Sequence, residues 1–155
     1  MSASRRVLRA FAPSDMDGVA DLWVAAWKTT GLPIDFDARR DWLVGRLGEL
    51  AKEGAAILVG VDERDRPVGF VTIDPVNGYV DQLCVAPSEF GGGLARALID
   101  EAKRRAPGVV DLNVNVDNSR ACRFYQREGF VVVGIGTSPL SGLPMLHLRW
   151  RAEGV

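Results

Sequence analysis

Three consecutive glycines, Gly91, Gly92 and Gly93, separate an apolar segment that ends at Val85 from a helix-forming segment that begins at Leu94. The first N–H groups of a helix have no partner within the helix, and the helix dipole is positive at that end. Glycines remove the side chains that would keep an anion away from those donors. The stretch therefore predicts a cradle for a phosphate or pyrophosphate group, with a flexible turn as the alternative.

Two common nucleotide sites are disfavoured by the spacing. A dinucleotide-binding Gly-x-Gly-x-x-Gly loop that used Gly91 and Gly93 would need a third small residue where Arg96 stands. A Walker A loop needs Gly-Lys-Ser/Thr after its glycines, and the sequence here continues with Leu94 and Ala95. We therefore expect the glycine stretch to bind the phosphates of a ligand that uses neither of these two loops.

The composition predicts one cytoplasmic domain, residues 1–155, without a metal. The length of 155 residues suits a single domain, and a net charge of −1 gives no basic surface for nucleic acid. The apolar runs are too short to span a membrane, and no signal peptide is evident. Cys84 and Cys122 share no metal-binding spacing and are expected to be reduced thiols, and the lone His147 is expected at the surface.

Hydrophobic periodicity predicts an α+β fold. Apolar residues that alternate with polar ones indicate strands, and apolar residues three and four apart indicate helices. The predicted strands are Val7–Phe11, Ala55–Val61, Val68–Ile73, Tyr79–Val85, Val110–Val116, Phe130–Ile135 and Met145–Trp150. The predicted helices contain Met16 to Trp27, Asp37 to Lys52, Leu94 to Arg105, and a short segment capped by Asn118 and stopped by Gly129.

The order of these elements predicts a mixed, mostly antiparallel central sheet of about seven strands flanked by about four helices. Short turns such as Asn77-Gly78 should join the second, third and fourth strands into an antiparallel meander. The fourth strand, the Leu94 helix and the strand from Val110 form a crossover unit, so those two strands should be parallel neighbours. The last strand, Met145–Trp150, is expected at an edge of the sheet.

In this order of elements, the segment from residue 79 to 133 resembles the GCN5-related N-acetyltransferase superfamily. Leu83-x-Val85-x-Pro87 running into Gly93-x-Ala95 is similar to the family's acetyl-coenzyme A signature, Gln/Arg-x-x-Gly-x-Gly/Ala. A second similarity lies in the next helix and strand, which read Asn118-x-x-Ala121-x-x-Phe124-Tyr125 and then Gly129-Phe130.

One position departs from the family signature. Phe90 stands where the family has Gln or Arg, so one polar side chain beside the pyrophosphate is missing. Backbone N–H groups can still bind the anion, and Arg96 on the first helical turn is placed to add positive charge.

The resemblance implies acetyl-coenzyme A as the cofactor and direct transfer of its acetyl group to a primary amine. Main-chain groups of Leu83 and Val85 would pair with the pantetheine arm and the acetyl carbonyl, and Asn118 would reach the arm from the far side. Tyr125 stands where the family's proton donor to the leaving sulfur lies, with a packed aromatic as the alternative. The implied cofactor-binding residues are Leu83, Val85, Phe90, Gly91, Gly92, Gly93, Leu94, Ala95, Arg96 and Asn118.

Two further side chains are candidates for chemistry. Asp81, in the middle of an apolar strand, is our candidate for the general base acting through water; a surface carboxylate, or water as the base, is the alternative. Cys84 lies beside the implied acetyl site, but no His near it in sequence would lower its thiol pKa, so we expect a buried structural residue.

The acceptor is not identified by the sequence. The loop from Trp27 to Phe36, the meander and the loop from Gly136 to Pro144 should line its cleft. A non-catalytic acyl-coenzyme A-binding regulatory module is the alternative from another class, and an acetyltransferase of protein or peptide amines is a narrower enzymatic one. A small-molecule or peptide amine is the expected partner, and a homodimer stays open.

Overall fold

The computed structural model describes residues 6–154 and contains, within them, seven strands and four helices in the predicted order. They are β1 (Val7–Ala10), α1 (Met16–Lys28), α2 (Arg40–Lys52), β2 (Ala56–Val61), β3 (Pro67–Ile73), β4 (Leu83–Val85), α3 (Leu94–Arg105), β5 (Val109–Asn115), α4 (Ser119–Arg127), β6 (Val131–Thr137) and β7 (Pro144–Arg151). Single 3₁₀ turns precede α1 and follow β4.

The strands form two antiparallel sheets. The predicted α+β class is confirmed, and the predicted single central sheet is divided into two. One sheet has the order β1-β2-β3-β4 and the other β5-β7-β6. The two sheets meet at one parallel bridge, between Tyr79 and Asp111. The predicted parallel pairing of the fourth strand with β5 is therefore limited to this bridge, and regular strand structure in β4 covers only Leu83–Val85.

A glycine allows the two sheets to approach each other at the bridge. The Val80 N–H donates to the Asp111 carbonyl at 2.9 Å, and the Asp111 N–H donates to the Gly78 carbonyl at 3.0 Å. Gly78 has a φ of 79°, and a Cβ atom at this position would lie 2.0 Å from the Val109 carbonyl oxygen. Only glycine accommodates this contact. The bridge fixes the point from which β4 and β5 diverge.

The prediction that the last strand lies at an edge was wrong. β7 lies between β5 and β6 and pairs antiparallel with both, which leaves β6 at the edge. A tight loop, in which the Ser138 N–H donates to the Leu143 carbonyl at 2.8 Å, turns the chain back into the gap beside β5. His147 consequently lies opposite Asn113 of β5, with 38% of its side chain exposed. Strand periodicity identifies the strand but not its partners, which explains the error.

Two hydrophobic clusters cover the two faces of the first sheet. One gathers α1 and α2, including the aromatic side chains of Trp23 and Phe36, and the other gathers α3 with Tyr125 of α4. Each Leu or Phe that is fully buried in such a cluster contributes roughly 1.5–3 kcal/mol. At the start of α3, Leu94 packs on β2 and β3 at glycine positions, and a Cβ on Gly60 would come within 2.6 Å of it. The packing seats the N-terminus of α3 directly above the sheet.

Candidate active site

A cleft of about 610 Å³ lies between β4 with the glycine loop on one side and α4 on the other. It opens where β4 and β5 diverge, and most of the residues predicted to bind the cofactor line it. Those that do are Leu83, Val85, Phe90, Gly91, Gly93, Ala95, Arg96 and Asn118, together with the predicted proton donor Tyr125. Gly92, Leu94 and Asp81 are not part of its lining.

The open edge of β4 presents backbone groups to the cleft. The Thr72 N–H donates to the Gln82 carbonyl at 2.9 Å, and the Ala86 N–H donates to the Val68 carbonyl at 2.8 Å. In an antiparallel pair, alternate residues face the partner strand. Leu83 and Val85 therefore direct their N–H and C=O groups away from β3 and into the cleft. A pantetheine arm, which carries amide groups, fits such an edge as a short added strand would.

The glycine loop has the conformation that an anion cradle requires. Gly91 and Gly93 have φ values of 77° and 89°, and nothing lies within 4 Å of the position that a Cβ would take on either. Gly93 is the N-cap of α3, and no side chain caps this helix or places an acid in its first turn. Its N-terminal N–H groups are thus available to a phosphate.

Two of the predicted loop residues contribute less than expected. The Gly92 N–H is already bound to the Glu89 carbonyl at 3.0 Å. The Leu94 side chain is buried in the core, so only its backbone N–H can face an anion. Arg96 is exposed, and its Nε lies 3.6 Å from Glu128 Oε1 at the end of α4.

Arginines on α4 were missed as candidates for the cleft. Arg120, Arg123 and Arg127 all line it, and the guanidinium carbon of Arg120 lies 4.0 Å from the centroid of the Phe90 ring. Their spacing of three and four residues is the signal that could have placed them on one helical face. Asn118, the N-cap of α4, accepts a hydrogen bond from the Ala121 N–H at 3.3 Å and so starts this helix beside the cleft.

Tyr125 is buried on α4 and packs edge-on against Phe124 and Phe130, at centroid distances of 5.3 and 5.4 Å. Burial raises the pKa of its phenol well above the ordinary value, mainly because a phenolate would be poorly solvated there. The hydroxyl therefore stays protonated at neutral pH, as a proton donor must.

The two thiols lack activation. Burial raises the pKa of Cys84 to about 12, and burial also raises the pKa of Cys122. The Cys84 Sγ lies 3.9 Å from the Val85 carbonyl oxygen, a weak contact that does not favour a thiolate. Neither side chain has the environment of a nucleophile.

Asp81 lies outside the cofactor cleft, in a chain of hydrogen bonds that links the residues just before β4 to α1 and α2. Its carboxylate accepts hydrogen bonds from Arg46 at 2.7 and 3.3 Å and from the Gln82 side-chain amide at 3.0 Å. Gln82 in turn accepts from the Trp23 indole N–H at 3.1 Å. The hydrogen bonds from Arg46 to Asp81 raise the pKa of that guanidinium. The chain holds Asp81 on the α1–α2 side of the sheet.

A second polar group lies on β5 and β7. The Asn113 side-chain amide donates to the Tyr79 hydroxyl at 2.8 Å, and Arg149 binds both oxygens of Asp111 at 2.7 and 3.1 Å. Hydrogen bonding to Arg149 lowers the pKa of Asp111. His147 Nε2 lies 3.7 Å from Asp111 Oδ1 and has no hydrogen-bond partner among residues 6–154. Tyr79 and Asp111 are the two residues of the bridge between the sheets, so this polar group lies at the bridge.

Comparisons with known proteins fit this geometry. The model of the acetyltransferase (GNAT) family matches residues 16–130, and the chain belongs to that family. It is therefore an N-acetyltransferase that uses acetyl-coenzyme A and transfers the acetyl group to an amine, so the predicted family, enzyme class and cofactor are confirmed. The non-catalytic alternative is not supported.

Two relatives are both named peptidyl-lysine N-acetyltransferase YjaB. The protein from Escherichia coli (strain K12) is 39% identical over 80 residues, a match that covers 52% of this chain and about half (52%) of that protein. The protein from Salmonella typhimurium is 32% identical over 118 residues, or 72% of this chain and 76% of that one. The solution structure of apo YjaB from Escherichia coli matches with a TM-score of 0.76 and 27% identity over 96% of this chain and 99% of that one.

The fold is also shared with the PaiA N-acetyltransferase of Thermoplasma acidophilum, solved in complex with coenzyme A. Its TM-score is 0.74 at 15% identity, over 95% of this chain and 99% of that one. None of the helices in residues 6–154 is long and apolar enough to cross a membrane. The same residues hold no cluster of three or more His, Cys, Asp or Glu side chains suited to a metal.

Proposed function

We propose that this enzyme transfers the acetyl group directly to the primary amine of a lysine side chain in a peptide or protein. The observation that carries the direct route is the open edge of β4, with the Leu83 and Val85 backbone facing a cleft whose opposite wall holds Tyr125. The peptide acceptor is supported by the two relatives named peptidyl-lysine N-acetyltransferase. A small-molecule amine is the alternative acceptor.

The residues of the cleft divide the work between binding and proton transfer. The acetyl thioester supplies an activated acyl carbon. The amide N–H groups of Leu83 and Val85 stabilise negative charge that develops on the carbonyl oxygen, and such aimed donors are commonly the largest catalytic contribution. N–H groups of Gly93, Leu94 and Ala95 at the start of α3 bind the pyrophosphate, and Asn118 contacts the arm from α4.

The transfer forms one bond and breaks one bond. The amine nitrogen bonds to the acyl carbon, the carbon–sulfur bond breaks, and the sulfur takes the hydroxyl proton of Tyr125. The proton that the amine loses passes through water to Asp81, which is our proposed base on the α1–α2 side. The Arg46 pair at 2.7 Å holds the Asp81 carboxylate in place for this role.

An acceptor panel tests the proposal. The purified chain would be incubated with acetyl-coenzyme A and, separately, with lysine-containing peptides, peptides whose only amine is the N-terminus, and small diamines, and free thiol release would be followed. We expect turnover to be fastest with the lysine peptides, and mass spectrometry should locate the acetyl group on the lysine. Faster turnover with the small diamines would overturn the peptide assignment and leave the enzyme class intact.

A second copy of the chain is the proposed partner of the β6 edge. Val131, Val132 and Ile135 on this strand are exposed, Ile135 to 83%, and an uncovered apolar edge strand invites pairing. Antiparallel pairing of β6 with β6 of a second copy satisfies a two-fold axis. Ile135→Lys should convert a dimer to a monomer in light scattering, while Val76→Lys, at a turn residue of equal exposure (84%), should not. A monomeric wild-type chain would contradict this proposal.

Cytoplasmic localisation and a single domain over residues 1–155 remain proposals. Cys84 and Cys122 are both free thiols, as is usual in a reducing compartment. The absence of nucleic-acid and membrane partners is likewise an expectation from the net charge and the short apolar runs.

A further inference from the structure

Phe90 leaves one wall of the cofactor cleft without the polar side chain of the family signature, and the opposite wall carries Arg120. Phe90 belongs to the loop before α3 and Arg120 to the first turn of α4, and both line the cleft. The Arg120 guanidinium carbon lies 4.0 Å from the centroid of the Phe90 ring, so the contact spans the cleft. We propose that Arg120, positioned by stacking on Phe90, binds the phosphate groups of the cofactor and replaces the polar side chain absent from position 90.

A position over the Phe90 ring leaves the N–H donors of Arg120 available to an anion. A guanidinium that lies with its flat face over an aromatic ring keeps its N–H donors in its own plane, directed past the ring. Those donors match the oxygens of a phosphate in a two-pronged geometry. The contact with Phe90 therefore orients Arg120 without using the donors that a phosphate needs. A lysine in the same place has neither the flat face nor the fork.

Phe90 is held firmly enough to serve as a platform. Its side chain is half-buried and packs against both hydrophobic clusters. Its backbone N–H donates to the Pro87 carbonyl at 3.2 Å, within the 3₁₀ turn that follows β4. A side chain ordered before the ligand arrives loses less conformational entropy on binding. Phe90 thus contributes to cofactor binding by orienting Arg120.

Other charged groups near the loop wall are engaged or oppose the anion, and the remaining cleft arginines, Arg123 and Arg127, share the α4 wall with Arg120. Arg96 lies 3.6 Å from Glu128, and Glu89 is bound by Arg6 at 2.8 and 3.0 Å. Asp117 also lines the cleft and would repel a phosphate. Glu89 and Glu128, the two glutamates that line the cleft, form their ion pairs with Arg6 and Arg96 and not with Arg120. Arg120 is therefore better placed than Arg96 to give its charge to the cofactor.

The inference rests on the use of acetyl-coenzyme A, and calorimetry with two ligands tests it separately. Coenzyme A carries the phosphates, whereas pantetheine shares the arm and lacks them. We expect Arg120→Ala to raise the Kd of coenzyme A by about tenfold or more and to leave the Kd of pantetheine unchanged. Arg120→Lys should not restore binding. Arg104→Ala, which removes the same charge near the opposite end of α3, is the matched control and should have no effect on either Kd.

A double-mutant cycle tests the platform. Phe90→Leu keeps the apolar anchor and removes the ring, so it should raise the Kd of coenzyme A by less than Arg120→Ala does. In the double variant, the Phe90 change should add nothing. Additive effects would show that Phe90 does not act through Arg120 and would overturn that part of the inference.

Three results separate the possible failures. An unchanged Kd of coenzyme A in Arg120→Ala, or an equal loss of pantetheine binding, overturns the inference while the use of acetyl-coenzyme A stands. Failure of the wild-type chain to bind coenzyme A contradicts the cofactor itself. If Arg120→Ala does not fold, as judged by circular dichroism, Arg120→Gln keeps the polar stem without the charge and is interpreted in the same way.

Discussion

The two walls of the cofactor cleft offer different kinds of group to a ligand. The loop wall offers backbone N–H groups around Gly93 at the start of α3, with no capping side chain. The α4 wall offers side chains, namely the amide of Asn118, the guanidinium of Arg120 and the phenol of Tyr125. Backbone donors persist when a neighbouring side chain changes, so the loop donors do not depend on the residue at position 90. The α4 wall depends on the identity of each residue, and changes there should be specific in what they remove.

The loop wall should fail completely when its backbone conformation is lost. Gly93→Val places a β-branched residue at a φ of 89°, a region that costs such residues about 1–3 kcal/mol even though space is free around it. We expect the start of α3 to rearrange and the binding of coenzyme A to disappear. In the wild-type chain, coenzyme A at 100 times its Kd should stabilise the fold by about 2.7 kcal/mol in a thermal melt, and this gain should be absent from the variant.

Gly54→Val is the control for backbone strain. Gly54 follows α2, has a φ of 95° and likewise has nothing within 4 Å of its Cβ position. The Gly54→Val variant should lower the melting temperature by about as much as Gly93→Val does. It should still be stabilised by coenzyme A. Retained ligand stabilisation in Gly93→Val would mean that the loop donors are not the phosphate site.

On the α4 wall, Tyr125→Phe should separate chemistry from binding. The ring remains and only the hydroxyl is lost, so the Kd of coenzyme A should be unchanged while kcat falls by roughly 10²–10⁴-fold. Because burial raises the pKa of the phenol, the active protonated form persists as pH rises, and wild-type kcat should show no loss from Tyr125 ionisation up to about pH 10.

Thermal melts of Tyr125→Phe test whether the Tyr125 hydroxyl has a structural role instead of a catalytic one. A variant with unchanged kcat, under conditions where the chemical step limits the rate, would assign Tyr125 to packing with Phe124 and Phe130. A large drop in melting temperature would instead indicate a buried structural hydrogen bond.

The smallest effects are expected at the two cysteines, one near each wall. Cys84→Ala and Cys122→Ala should each keep most of the activity, because burial raises the pKa of both thiols and neither forms a thiolate near neutral pH. Initial-rate plots against both substrates should intersect, as they do for a ternary complex. Parallel lines, or a cysteine found acetylated after mixing with acetyl-coenzyme A alone, would contradict direct transfer.

The local elements of this fold could be predicted from sequence, because local signals determine them. The bounds of α3, Leu94–Arg105, agree with its apolar spacing and with Pro107 just beyond its end. Asn118 caps α4 as predicted. The motif that carries the family resemblance consists of the same local elements, so the cofactor could be inferred with them.

Features that depend on long-range contacts could not be predicted. The insertion of β7 between β5 and β6 and the early divergence of β4 and β5 depend on pairing between residues far apart in the chain. The same is true of Arg120 on Phe90 and of Arg46 on Asp81, whose partners lie on different elements. A periodic pattern shows which face of an element is buried and not which element buries it.

Gly78 has a consequence for engineering this enzyme toward other acyl groups. The close approach of Gly78 to Val109 lies beside the bridge from which the two sheets separate, so we expect it to set the depth and width of the wedge between β4 and β5, where we propose that the thioester binds. A mutant library that varies only the residues lining the wedge leaves the angle between β4 and β5 unchanged in every variant. Variation of the segment from 76 to 79, with glycine kept at 78, changes the hinge of the wedge without touching its walls. In a mutational scan, Gly78 should therefore tolerate substitution as poorly as catalytic positions do, although it does not line the cleft.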